Sequence, residues 1–304
     1  MSGPLVSIIT PSYNQGRFIE ETIKSVLSQD YPNIEYIVVD GGSTDNTVEI
    51  LKKYEGRLKW ISEKDRGQSD AINKGFRMSK GGILCWLNSD DTFLPGAVRK
   101  MVEAFGSRPD AGMIYAGGYY TDEKGNILDK HPPEPFDREK LASYGLVFQP
   151  SAFFRRNTFF EAGGLDESLH YTMDYDLWLR ICERYKVEHI EEFLSTYRIH
   201  GESKTMADRN RLEFTEEYLK TIFRHYHRAP INRVYAYCYY LVKSKAQRVA
   251  RFTPLLVFLA IAVSIVKYLR LNRGININDI KLLNFSNLKR LFSARMDAIN
   301  TDRK

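Results

Sequence analysis

Asn88-Ser89-Asp90-Asp91 ends the apolar run Gly82-Ile83-Leu84-Cys85-Trp86-Leu87. The run is short, apolar and preceded by Gly81-Gly82, as a buried strand would be. Two adjacent carboxylates at the end of such a strand repel one another. A divalent cation relieves that repulsion and in turn binds phosphate oxygens. In open α/β sheets ligands sit beyond the carboxyl ends of the strands. The motif therefore points to a metal–diphosphate site at a sheet rim. The plainer alternative is a solvated Asp-rich turn, or a helix N-cap ahead of Pro95.

The elements that would position these acids follow from periodicity. Leu5-Val6-Ser7-Ile8-Ile9 reads as a strand entering Thr10-Pro11-Ser12-Tyr13-Asn14, and Phe18, Ile19, Ile23, Val26 and Leu27 then recur at helical spacing. Ile34 to Val39 is a second strand, ending at Asp40-Gly41-Gly42-Ser43-Thr44-Asp45. Its glycines allow close backbone approach to a ligand, and Ser43 or Thr44 is placed to cap a helix through Val48, Leu51 and Tyr54. Leu58 to Ser62 is a third strand, Gly67 to Ser79 a helix, and Ile83 to Leu87 the fourth strand. This alternation predicts an α/β fold with a parallel sheet. Asp40, Asp90 and Asp91 then fall at the carboxyl edge of that sheet.

Taken in order and spacing, Val6–Asn14, Val38–Asp45 and Asn88–Asp91 resemble the motifs of family-2 glycosyltransferases with the GT-A fold, over about residues 5–200. The resemblance implies a mostly parallel sheet flanked by helices, a nucleotide-sugar donor (usually a UDP-sugar) and a Mg²⁺ or Mn²⁺ ion. It implies that Asp40 meets the base, Asp90 lies near the ribose and Asp91 holds the metal. Pro11, Ser12 and Asn14 would line the nucleotide pocket. Gly-x-Gly-x-x-Gly is absent after the first strand, which argues against a dehydrogenase.

Arg66 and Asp70 follow the third strand, and the family often uses this segment in the donor site. An Arg suits diphosphate and an Asp suits sugar hydroxyls. The alternative is an ordinary helix start, with Asp70 favoured by the macrodipole. Further on, Met173-Asp174-Tyr175-Asp176-Leu177-Trp178 opens a helix with an apolar face through Leu177, Trp178 and Ile181. On the residues alone, Asp174 is an N-cap and Asp176 a surface charge. The resemblance makes Asp174 the general base, with Asp176 the second candidate. Family members commonly carry Glu-Asp here, whereas this chain has Met173 in place of the Glu. A single base suffices for single-displacement transfer with inversion: it takes the acceptor hydroxyl proton while a metal stabilises the leaving diphosphate.

Phe148 to Arg156 reads as a strand on the acceptor side, its aromatics in the core and Gln149 and Ser151 placed to line the site. Tyr197-Arg198-Ile199-His200 ends another strand. Similar enzymes often place a His there against the metal or diphosphate, so His200 is a second candidate metal ligand. Arg198 is a candidate phosphate contact.

The 304 residues carry a net charge of +6 that hides an asymmetry. Residues 1–204 hold 25 Lys/Arg and 31 Asp/Glu, whereas residues 205–304 hold 19 and 7. The expected organisation is a glycosyltransferase domain over 1–204, with a nucleotide-binding half to about 110 and an acceptor half beyond. A basic helical region over 205–304 follows. That region contains the uncharged run Phe252–Val266, 15 residues between Arg251 and Lys267. It is shorter than the about 20 residues of a spanning helix. It is therefore expected to be an interfacial or re-entrant membrane segment, with its basic and aromatic flanks on anionic headgroups; the alternative is a buried helix at a domain or subunit interface. No nucleic-acid recognition module accompanies the charge. Cys85, Cys182 and Cys238 show no metal or disulfide spacing, and no leader precedes the first strand. Both fit a cytoplasmic protein, peripheral at the membrane's inner face. The partners expected are a nucleotide-sugar donor, a glycan or lipid-linked acceptor and an anionic membrane surface. Two other functions remain open on the residues: a nucleotidyltransferase, for which Pro11–Arg17 is a poor phosphate loop, and a non-catalytic scaffold of the same fold.

Overall fold

The structure is a computed structural model that describes residues 3–204, 210–245, 253–276 and 279. It divides into two units, Met1–Arg138 with Leu146–Arg198, and Glu139–Gly145 with the chain from Ile199 onward.

The first unit is a nine-stranded sheet. Its elements in chain order are β1 (Val6–Ser12), α1 (Ile19–Leu27), β2 (Ile34–Asp40), α2 (Thr47–Lys52), β3 (Lys59–Ser62), α3 (Gln68–Met78), β4 (Ile83–Trp86) and β5 (Thr92–Phe93). α4 (Ala97–Ser107), β6 (Ala111–Thr121), β7 (Ile127–His131) and α5 (Arg138–Ser143) follow. β8 (Ala152–Arg155), α6 (Arg156–Glu161), α7 (Met173–Cys182) and β9 (Lys186–Arg198) complete the unit, with α5 crossing into the second. The strand order is β3-β2-β1-β4-β8-β6-β9-β5, with β7 on β6. β3, β2, β1 and β4 are all parallel, the arrangement expected of alternating strands and helices. β8 enters antiparallel against β4 and β6, and β9 runs parallel to β6.

β1 and β4 lie inside the sheet and are buried along their whole length. They read as continuous apolar runs because both faces are covered. α1 packs through Ile19, Ile23 and Val26, the residues of its predicted apolar stripe. α3 comes unusually close to β1 at Gly75, where a Cβ would stand 2.5 Å from Ile9 Cγ2.

A second apolar cluster fixes the elements that carry the acids. Trp86 of β4 stacks on Trp178 of α7 at 5.4 Å, and Phe76 of α3 meets Phe159 of α6 edge-on at 4.6 Å. Phe154 of β8 lies 5.9 Å from Trp86 and 6.2 Å from Trp178. Aromatic pairs of this kind contribute about 0.5–1.5 kcal/mol beyond burial. The rings thus hold together α3, which carries Asp70, β4, which leads to Asp90 and Asp91, and α7, which carries Asp174.

Two sequence expectations are corrected here. The segment from Phe148 is not strand throughout: Gln149–Ser151 form one 3₁₀ turn around Pro150, and only Ala152–Arg155 pair in the sheet. Proline lacks the ladder donor, which accounts for the break. Neither Ser43 nor Thr44 caps α2, whose N-cap position is Asn46; both belong to the loop bonded to Asn14.

In the second unit the elements are α8 (Arg211–Tyr226), α9 (Ile231–Lys245) and α10 (Thr253–Asn272). α9 packs against both α8 and α10. The basic region is helical where described; residues 205–209, 246–252, 277–278 and 280–304 of it, Phe252 included, lie outside the described residues. α10 continues past the uncharged run, through Lys267 and Arg270. Over Pro254–Asn272 it is long and apolar enough to cross a membrane, with a mean hydropathy of 1.9.

Candidate active site

β1 and β2 end side by side, with Ser12 in register with Asp40. Asp40 is fully buried and its carboxylate organises the loop that follows. Oδ2 accepts from the Gly42 and Ser43 amides at 3.1 and 2.9 Å and from Ser62 Oγ at 2.6 Å, while Oδ1 accepts from Ser43 Oγ at 2.5 Å. Four bonds use about the whole accepting capacity of a carboxylate. Asn14 binds this loop to the β1 loop. Its backbone amide donates to Ser43 Oγ at 2.7 Å and its Oδ1 accepts from the Thr44 amide at 2.8 Å. It does so with φ +52°, a left-handed conformation that Asn tolerates. Ser12 Oγ is buried without a hydrogen-bond partner among the described residues, and Tyr13 beside it is 59 % exposed. Buried hydroxyls are normally paired, so an orphan here marks a place for a ligand's polar atom. Tyr13 was not singled out in the sequence; its place after Pro11-Ser12 was the available signal.

Beyond β4 the turn Asn88–Asp91 folds inward. Asp91 is buried, with Oδ1 accepting from the Arg198 amide at 3.0 Å and Oδ2 from Asn88 Nδ2 at 3.2 Å. Burial, reinforced by the Asp90 charge, pushes the Asp91 carboxyl well above the usual range, against the Arg198 and Asn88 donors. Asp90 is the more open of the two acids. A buried acid beside a second acid is the donor set that a cation stabilises, and Asp91 retains lone pairs beyond its two bonds. Among the described residues no group of three or more His, Cys, Asp or Glu side chains could hold a metal. The pair therefore suits an ion whose remaining ligands come from phosphate and water, as Mg²⁺ commonly takes them.

Arg198 does not present a free guanidinium to phosphate. It is 3 % exposed and donates from Nε to the Asp90 carbonyl at 3.0 Å and from Nη1 to the Glu123 carbonyl at 2.6 Å. It also pairs with the Glu21 carboxylate. Its role here is to lock the Asp90–Asp91 turn to β9.

A relay of contacts joins this turn to the two helices. Gln68 Nε2 at the start of α3 donates to Asn88 Oδ1 at 2.8 Å, and Asn88 Nδ2 donates to Gln149 Oε1 at 3.0 Å. Gln149 in turn donates to the Trp86 carbonyl at 3.0 Å. Ser69 Oγ, one residue on, donates to Met173 Sδ at 2.8 Å. Gln149 is therefore tied to Asn88, which itself bonds Asp91. Ser151 is not at the site surface, being fully buried between the Gly117 carbonyl and Ser195. Gln68 and Asn88 as connectors were not foreseen, because a neutral amide carries no chemical signature in sequence.

Asp174 is the second residue of α7, behind Thr172 at the N-cap position, so it is not itself the N-cap. It is partly exposed, and its Oδ1 accepts the Tyr175 amide at 2.7 Å. Asp176 is not a surface charge: it is 1 % exposed and accepts from Arg180 Nε at 2.8 Å. Arg180 also donates to the carbonyls of Ala162 and Gly164, tying α7 to the turn that follows α6. Of the two acids, only Asp174 is open to solvent.

Arg66 is mostly exposed and pairs with Asp70 at 3.1 Å and Glu167 at 2.5 Å. The Arg66 guanidinium beside Asp70 holds that carboxyl below the usual range. Pro11 is buried at the end of β1. His200 belongs to the second unit, where it is buried and its amide donates to Ser203 Oγ at 3.0 Å.

Comparisons with known proteins bear on the fold and the family. The sequence model of Glycosyl transferase family 2 matches residues 7–164. An uncharacterized glycosyltransferase of Rickettsia prowazekii is 32 % identical over 222 residues, 70 % of each chain. The chondroitin synthase of Escherichia coli is 30 % identical over 207 residues, 67 % of this chain but 30 % of that longer protein. Among solved structures, S. aureus TarS 1–349 in complex with UDP-GlcNAc superposes with a TM-score of 0.59 at 16 % identity, covering 98 % of this chain and 89 % of that one. A mannosyltransferase from Pyrobaculum calidifontis in complex with GDP-Man and Mn²⁺ also gives 0.59, at 17 % identity, covering 98 % and 84 %.

Proposed function

The chain belongs to glycosyl transferase family 2, and from that premise we propose that it transfers a sugar, with inversion, from a nucleotide-sugar to a hydroxyl of a glycan or lipid-linked acceptor. The observation that carries the reading is the relay from Asp174's neighbour Met173 through Ser69 and Gln68 to Asn88 and the Asp90–Asp91 turn. It supports one partly exposed carboxylate, Asp174, and one acidic pair serving a common centre.

The donor nucleotide lies along the ends of β1 and β2. Pro11, Ser12 and Asn14 form one wall, and the Asp40 loop takes the base. Because Asp40 is saturated by its loop and by Ser62 at the end of β3, its contact with a base exchanges one of the hydroxyl bonds, from Ser43 or Ser62. The orphan Ser12 hydroxyl gains a partner from the nucleotide. Asp90 faces the ribose and diphosphate, and Arg66 and Asp70 face the phosphate and sugar. The structural neighbours' complexes with UDP-GlcNAc and with GDP-Man and Mn²⁺ support a nucleotide-sugar donor, and the donor proposed is a UDP-sugar.

Asp91, with Asp90 beside it, would hold a Mg²⁺ or Mn²⁺ ion. When bound, such an ion neutralises charge developing on the diphosphate leaving group. His200 is given no part in this reading. Asp174 accepts the acceptor hydroxyl proton as that oxygen attacks the anomeric carbon and the nucleoside diphosphate departs. With a single base and no covalent intermediate, an α-linked donor yields a β-glycoside. The helical unit, with its excess of cations and its apolar α10, keeps the enzyme peripheral at the cytoplasmic face of an anionic membrane.

The test is thermal stability and turnover of the full chain with UDP, GDP and a panel of nucleotide-sugars, each with Mn²⁺ and with chelator. Cation-dependent stabilisation by one nucleoside diphosphate, and release of that diphosphate from one sugar donor, are expected. If no nucleotide or nucleotide-sugar binds under either condition, the reading falls.

A further inference from the structure

In the second unit a pocket of about 310 Å³ opens among α8, α9 and α10. Three cations line it, Lys220 and Arg224 from α8 and Lys267 from α10, against the single acid Glu216. Lys220 pairs with Glu216 at 2.7 Å. The Lys267 ammonium rests 4.7 Å from the centre of the Tyr237 ring and has no carboxylate partner among the described residues. Cations thus outnumber acids among the lining side chains. Its remaining walls are apolar, Leu219, Phe223 and Leu271.

The adjoining helix continues this apolar wall into solvent. α10 buries Leu256, Ala260, Ser264 and Tyr268, a stripe repeating every four residues. Much of the rest of its surface is exposed: Phe258 is 67 % accessible, Ile265 52 % and Val266 51 %. α10 contains no acidic residue. A soluble anion would use the cations but leave the apolar walls and the exposed face of α10 unaccounted for. An apolar partner alone would desolvate the cations, at a cost.

We propose that this pocket binds the phosphate headgroup of an anionic lipid, with the acyl chains lying along the exposed face of α10. The phosphate takes its charge-assisted bonds from Lys220, Arg224 and Lys267. Basic pockets flanked by apolar helix surface suit this chemistry because each end of the lipid finds a matching wall. The site rests on the membrane reading given above but adds to it a defined position for the lipid phosphate.

Flotation of the full chain with vesicles of zwitterionic lipid, alone or with an anionic phosphodiester lipid, tests it. A pocket variant, Lys220→Gln with Arg224→Gln and Lys267→Gln, is compared with a charge-matched variant on the same unit, Lys243→Gln with Lys245→Gln and Arg273→Gln. Each cation near an anionic surface is worth about fivefold, so on the order of 100-fold is expected for a triple loss. The pocket variant should lose at least that, and the matched variant measurably less. A short-chain anionic phospholipid below its micelle concentration should raise the melting temperature of the wild type and of the matched variant, but not that of the pocket variant. Inorganic phosphate at equal concentration should not do so. Equal losses in both variants with no short-chain shift would overturn the site and leave a diffuse membrane attraction. Equal protection by inorganic phosphate would make it a site for a free anion. Absence of vesicle binding by the wild type would overturn both the site and the membrane reading, without touching sugar transfer.

Discussion

Two acids on one turn of α7, Asp174 and Asp176, should fail in opposite ways. Asp176 is 2 % exposed at its side chain and pairs with an Arg180 that is 24 % exposed. Asp176→Ala leaves that guanidinium partly buried, with the Ala162 and Gly164 carbonyls but no carboxylate. Breaking a buried pair costs about 3–5 kcal/mol. The residual exposure of Arg180 and its two carbonyl acceptors place the cost at the lower end, near ~3 kcal/mol. At about 2–4 °C per kcal/mol for a domain of this size, the melting temperature should fall by roughly 6–12 °C. Asp174→Asn keeps the size of the side chain and an oxygen for the Tyr175 amide at a partly exposed position, and should lower the melting temperature by less than Asp176→Ala does. It should lower transfer by about two to four orders of magnitude, with donor binding kept. The assay pairs thermal unfolding by circular dichroism with transfer rates at saturating donor, at a temperature where both variants are folded. The reasoning is refuted if Asp174→Asn melts as low as Asp176→Ala. It is refuted equally if Asp176→Ala keeps its melting temperature but loses transfer.

Other consequences are equally open to measurement. Asp91→Asn should abolish cation-dependent stabilisation by the donor nucleotide; titration calorimetry showing unchanged Mn²⁺-dependent binding would exclude Asp91 as the ligand. The product of an α-linked donor should show β anomeric proton coupling, and a retained α configuration would remove Asp174 as a lone base. Gly75→Ala brings a Cβ within 2.5 Å of Ile9 Cγ2, so α3 must shift off β1. The overpacking should cost about 1–3 kcal/mol by chemical denaturation, with a raised KM for the donor because Asp70 and Gln68 move with the helix. Asp70, whose carboxyl the Arg66 guanidinium holds below its ordinary value, contributes stability above about pH 4 and loses it as pH falls through the lower folded value. Asp70→Asn should flatten the acid limb of the unfolding profile below about pH 4, an effect kept small by the exposure of Arg66.

The sequence alone determined the alternation of strands and helices, the parallel first half of the sheet and the ends at which Asp40, Asp90 and Asp91 stand. Period-two and period-3.6 patterns are local, and motif spacing follows from them. It also separated the acidic first 204 residues from the basic tail, since charge can be counted. Burial and partnership could not be counted. Asp176 reads as one more surface acid until α7 packs it against Arg180 and the turn after α6. Arg198 reads as a phosphate ligand until the fold turns it onto Asp90, Glu123 and Glu21, the last 177 residues away. Asn88, Gln68 and Gln149 carry no charge, yet they connect the acidic turn to α3 and to the 3₁₀ turn before β8, across separations of 20 and 61 residues. Ser69 meets Met173 across 104. A carboxylate's value as base, metal ligand or strut depends on which donors surround it and on how much water reaches it. Long-range packing sets both, and here the aromatic cluster around Trp86 decides that packing by fixing α3, β4 and α7 about one centre.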